Sequence, residues 1–117
     1  MPRLWPLRRF RVADTSMQPT LYPGDRLLVM TWLAPRPGDV VVLRDPDAYL
    51  SFAVKRVESV TPDGGVVVRG DNANVSRDSR HFGPLPRRLI VGRAVYRYYP
   101  AQRRGSLGTR PTSRRKP

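Results

Sequence analysis

A small set of side chains in this 117-residue chain has the types and setting for covalent chemistry. They are Ser16 in DTSMQPTL (14–21), Lys55 in AVKRV (53–57), and Ser76 with His81 in GDNANVSRDSRHFGP (70–84). Taken alone, Ser16 reads first as a turn residue, because serine and proline gather where the hydroxyl bonds nearby backbone and proline presets φ. Lys55 stands out by contrast. Of the 22 cations 20 are arginine, and only Lys55 and Lys116 are lysine. Arginine keeps its proton in a protein, whereas a buried lysine can become a neutral amine and act as a base. Strand alternation places Ser51, Ala53, Lys55 and Val57 on one face, so the ammonium shares its side with small and apolar groups. A base working near neutrality needs a downward shift of about 3 units, or about 4 kcal/mol favouring the neutral form. The competing reading is a lysine that reaches solvent at a strand edge.

The loop at 70–84 gathers Asp71, Asn72, Ser76, Asp78, Ser79 and Arg80. As a calcium loop it lacks the closing glutamate. As a solvated loop it is ordinary. As a supporting shell, a serine hydroxyl holds a lysine amine while an aspartate and an arginine tie the loop to the sheet. The chain has no cysteine and one histidine, which excludes disulfides, thiolate catalysis and a multi-histidine metal site. Neither a metal nor another cofactor is expected. A Ser16, His81 and Asp78 triad is the alternative arrangement of the same hydrolytic chemistry.

The elements that must position these groups are strands. Short β-branched runs at 25–30, 39–43, 49–60, 65–70 and 89–99 are separated by turns rich in Pro, Gly and Asp. Thirteen prolines and nine glycines leave room for at most a short helical turn after Pro19. The expected fold is all-β, a small and partly open barrel-like domain over 11–100. A basic and aromatic arm at 1–10 precedes it, and a basic, disordered tail at 101–117 follows. The formal charge of +13 suits an anionic partner, and Tyr96, Tyr98 and Tyr99 alternating with Arg93 and Arg97 suggest a nucleic-acid or anionic-surface module as the rival function. Arginines and Pro6 interrupt MPRLWPLRRFRV, and the longest apolar run, LLVMTWLA, falls short of the roughly 20 residues that span a bilayer. The expected location is therefore cytoplasmic or peripheral to a membrane, with Trp5 and Phe10 suited to an anionic lipid surface.

In order, SMQPTLYPGDRLLV (16–29), RPGDVVVL (36–43), VKRV (54–57) and GDNANVSRDSRHFGPLP with LIVGRA (70–94) resemble the signal peptidase I family of serine-lysine proteases. The resemblance covers roughly residues 12–100. It implies the catalytic fold of the signal-peptidase and LexA type, here without the large inserted β domain. It implies a serine endopeptidase that removes an N-terminal leader or signal peptide from a precursor protein, with no specific nucleic acid as partner. Ser16 would be the nucleophile and Lys55 the general base. Ser76 would orient the lysine, Asp78, Arg80 and Asp71 would brace the site, and Met17 and Ala53 would keep the substrate pockets shallow. The compact form, without the family's usual N-terminal anchor, looks most like the maturation proteases of nickel-type superoxide dismutase, and also resembles compact organellar signal peptidases. Asp14 departs from the family, in which many bacterial members carry a small hydroxyl or glycine at that position.

Overall fold

Two Pro-Gly-Asp triplets, at 23–25 and 37–39, frame the fold in a computed structural model that describes residues 6–72, 74 and 82–108. Gly24 and Gly38 sit at φ +93° and +92°, a left-handed conformation that only glycine adopts cheaply. Each turn is closed the same way. The Asp25 N-H donates to the Tyr22 carbonyl (3.0 Å) and the Tyr22 N-H to the Asp25 carboxylate (2.9 Å); Asp39 and Arg36 repeat both bonds at 3.0 Å. Strands β2 (Arg26–Met30) and β3 (Val40–Asp45) start directly after these aspartates.

Both carboxylates are fully buried, so their charge needs a partner. The partners come from β6 (Ile90–Tyr99), where Arg97 lies 3.1 Å from Asp25 and Arg93 2.8 Å from Asp39. Strand β6 accordingly lies between β2 and β3. With β1 (Leu7–Arg11), β4 (Ala48–Val60) and β5 (Val66–Arg69) the order is β1-β2-β6-β3-β4-β5, and β7 (Gly105–Ser106) pairs with β6. All the pairings are antiparallel, and the sheet stays open and unclosed. The β2–β6 approach is close: a Cβ on Gly92 would meet the Met30 carbonyl oxygen at 2.6 Å.

The unbroken VVVL run of β3 is explained by burial on both faces. Val40 and Val42 pack with Val12, Met17, Leu21, Leu27 and Val29, while Val41 and Leu43 pack with Val57, Val66, Val68, Leu85 and Ile90. The β3–β4 register sets Val41 opposite Lys55 and Leu43 opposite Ala53, which carries the lysine onto the second core's face. The β4–β5 turn is held by a Thr61 hydroxyl bond to Asp63, which keeps that carboxyl below its usual range.

The strand boundaries follow the sequence closely, and the ends of the chain differ from expectation. The arm expected at 1–10 supplies β1, in register from Leu7 opposite Met30 to Arg11 opposite Arg26. An edge strand needs only one inward residue, here Phe10, so LRRFR hides its strand character behind arginines. The tail expected to be disordered from 101 continues as a 3-10 turn (Ala101–Arg103) and β7. Arg97 Nε donates to the Arg103 carbonyl (2.6 Å), and Leu107 packs on the first core. The short turn expected after Pro19 lies slightly earlier, over 16–20, closed by the Leu21 N-H on the Met17 carbonyl (2.9 Å). Among the described residues no helix is long and apolar enough to cross a membrane.

Candidate active site

The backbone that presents Ser16 is anchored before and after it. Val12 exchanges hydrogen bonds with the first Pro-Gly-Asp turn, its N-H to the Asp25 carbonyl and its carbonyl from the Gly24 N-H, both 2.8 Å. Met17 and Leu21 are wholly buried in the first core. Between these anchors the chain turns tightly, with the Gln18 N-H on the Thr15 carbonyl (3.2 Å). The Ser16 N-H donates to Asp14 Oδ1 at 3.0 Å. Ser16 itself is 5 % exposed, and its Oγ has no hydrogen-bond partner among the described residues.

Lys55 is 4 % exposed and shares a cleft of ≈ 240 Å³ with Ser16. Asp14, Thr15 and Asp45 add polar walls, and Leu43, Pro46, Ala53 and Phe82 add apolar ones. A hydroxyl and an amine in one enclosed cleft suit nucleophilic attack on a carbonyl followed by proton transfer. Among the described residues no cluster of three or more His, Asp or Glu side chains is arranged to hold a metal ion.

Next to Lys55, Arg56 points to the other face and braces the site. Its Nη2 and Nε bind the two Asp71 carboxylate oxygens at 2.6 and 3.1 Å, and its Nη1 donates to the Gly38 carbonyl at 3.0 Å. Asp71 also accepts the Thr20 hydroxyl at 2.5 Å, and its N-H meets Met17 Sδ at 3.4 Å. Asn72 completes the clamp, its N-H on the Ser16 carbonyl (2.8 Å) and its Nδ2 on the Thr15 carbonyl (3.1 Å). One bidentate ion pair thus joins the lysine strand, the second Pro-Gly-Asp turn and the serine turn.

Ser16, Lys55 and Ala53 are therefore together in the cleft, and Asp71 lies behind it as a brace. Met17 is not part of the cleft wall but of the core. Ser76, Asp78, Arg80 and His81 lie outside the described residues. Reading residue types gave no role to Arg56, Asn72 or Thr20, although KRV and GDN were the signals that could have found the first two. The basic-aromatic alternation behind the nucleic-acid alternative is engaged internally, Arg93 with Asp39 and Arg97 with Asp25.

A second, small pocket of ≈ 20 Å³ lies between residues 10–14 and the β3–β4 pair, lined by Val42, Phe52, Ala53 and Val54. Phe10 and Phe52 meet across it edge to face, with centroids 5.2 Å apart. Strand β5 pairs with β4 only from Arg56 to Val60, so among the described residues no strand covers the outer edge of β4 from Leu50 to Lys55.

The family model described as "Signal peptidase, peptidase S26" matches residues 1–63 and 58–99. The mitochondrial ATP-independent inner membrane protease subunit 1b of Arabidopsis thaliana is 37 % identical, over 83 % of this chain and 73 % of its own length. The probable signal peptidase I-1 of Synechocystis sp. is 32 % identical over 88 % of this chain and 80 % of its own length. The mitochondrial inner membrane protease subunit 1 of Mus musculus is 30 % identical over 86 % and 74 %. With the family match spanning nearly all of the sheet, and with relatives covering most of their own length, the chain belongs to the signal peptidase family, peptidase S26.

Proposed function

We propose that this peptidase is a serine endopeptidase working through a Ser16/Lys55 dyad, and that it removes an N-terminal leader or signal peptide from a precursor protein. The observation that carries this reading is that one cleft holds both Lys55 and the buried Ser16, whose Oγ has no hydrogen-bond partner among the described residues. In acylation, Ser16 Oγ bonds to the scissile carbonyl carbon while its proton passes to the neutral Lys55 amine, and the carbonyl π pair moves onto oxygen. As the oxyanion collapses, the C–N bond breaks and the Lys55 ammonium returns the proton to the leaving amine. Water then attacks the acyl-enzyme, giving its proton to Lys55, and Ser16 leaves with a proton. Backbone N-H groups at the serine stabilise the oxyanion.

The leader binds as an extended strand between the segment 11–15 and the uncovered edge of β4 at Leu50 to Ala53. Main-chain hydrogen bonds then supply affinity with little demand on sequence. Ala53 keeps the pocket beside the nucleophile shallow. By the family resemblance this reading gives Ser76 the role of orienting the lysine amine, and Asp78 and Arg80 a supporting role beside Asp71. The precursor of a nickel superoxide dismutase is one substrate of the required kind. The experiment compares protein N-termini in cells carrying wild-type enzyme or Ser16→Ala. A precursor whose leader persists only with the variant names substrate and cut site together, and identical N-termini in both would contradict the reading.

A further inference from the structure

The Ser16 N-H is engaged before any substrate arrives. Its acceptor is Asp14 Oδ1, at 3.0 Å, two residues back along the same turn. Acyl transfer at Ser16 needs that N-H for a different oxygen, because the tetrahedral intermediate carries its negative charge next to the nucleophile's own amide. A carboxylate on that donor competes with the substrate twice, by holding the hydrogen bond and by repelling the developing oxyanion.

We propose that Asp14 is a gate on the nucleophile: its carboxylate stands in for the substrate carbonyl on the Ser16 amide, and each acylation requires its displacement. This rests on the Ser16 reading above and adds a rate- and specificity-determining residue to it. Asp14 is itself exposed at the cleft, so its side chain can swing out to water by rotation about its own bonds while the turn stays in place. The turn does not depend on it, since Asn72, the Val12 bonds and the buried Met17 hold the backbone from other sides. Ser16 Oγ, by contrast, has no hydrogen-bond partner among the described residues. A leader that binds well along the groove displaces the carboxylate with its scissile carbonyl. A short or poorly docked peptide leaves it in place, and the gate thereby favours full-length leaders over stray peptides.

The test uses the full chain, a fluorogenic peptide spanning a leader cut site, and a peptide boronate of the same leader sequence, which forms a tetrahedral adduct on a serine oxygen. Asp14→Ser and Asp14→Asn are compared with wild type, with melting temperatures measured to verify folding. Freeing an oxyanion donor is expected to raise kcat by about tenfold in Asp14→Ser, with KM nearly unchanged and the boronate binding tighter by a similar factor. Asp14→Asn, which keeps an acceptor without the charge, falls between. Unchanged or lower kcat and boronate affinity in a normally melting Asp14→Ser overturns the gate while leaving the dyad standing. Cleavage that survives Ser16→Ala overturns the dyad itself, and the gate with it.

Discussion

Arg56 grips both carboxylate oxygens of Asp71, at 2.6 and 3.1 Å, and this pair joins the strand that carries Lys55 to the turn that carries Ser16. The side chains are 7 % and 14 % exposed, so removing one partner strands a charge in a poorly solvated place. Such losses cost about 3 kcal/mol. Asp71→Ala is expected to lower unfolding stability by about that amount, measured by urea denaturation, and to depress kcat even well below the melting temperature. With Asp71 in place, Arg56→Lys is expected to lose much of the same stability, because an ammonium cannot make the two-pronged contact.

Asp25 is the useful contrast. It too is buried and held by arginines, Arg97 and Arg103, but its carboxylate closes the first Pro-Gly-Asp turn and is not among the walls of the cleft. Asp25→Asn removes the charge that these arginines answer, at a cost again of about 3 kcal/mol. The expected outcome is a lower denaturation midpoint with kcat per folded molecule retained at low temperature. Equal losses of kcat in the Asp25 and Asp71 variants would remove the distinction between a frame and an active-site brace.

In the proposed dyad Lys55 has to be neutral to take the Ser16 proton, which fixes the sign of the pH dependence. At low pH the ammonium cannot accept a proton, and as pH rises the active fraction grows until the amine is fully deprotonated. kcat/KM is therefore expected to rise with pH to a plateau. Lys55→Arg, which keeps the charge and much of the bulk, is expected to abolish cleavage while still folding, because arginine does not deprotonate. Substantial activity in that variant would shift the base to another group, with His81 the first to examine.

Most of the framework was legible because strand runs of valine and leucine alternate with Pro-Gly turns, and because only one lysine lies inside such a run. Ser16, Lys55 and Ala53 accordingly meet in one cleft. Strand β1 was hidden because an edge strand with one inward phenylalanine is mostly charged, and residues 101–108 because a short, arginine-rich segment gives no periodic signal. Arg56 escaped for a different reason. On a strand, the residue beside a catalytic candidate faces away from it, and its value depends on a loop fifteen residues further along, which no local pattern reveals. The Asp14 contact was closer to hand, since an aspartate bonding the amide two residues on is a common local turn. Its consequence follows only from the proposal that the amide is the nucleophile's own.

The most direct measurement is mass spectrometry of a leader-bearing precursor incubated with purified wild-type or Ser16→Ala protein of matched melting temperature. One hydroxyl oxygen separates the two proteins, and the Ser16 site is too well anchored by Val12, Met17 and Asn72 for its loss to unfold the turn. The account expects a single cut that releases the leader with the wild-type protein and an intact precursor with the variant. Cleavage at the same bond by the Ser16→Ala protein would contradict it.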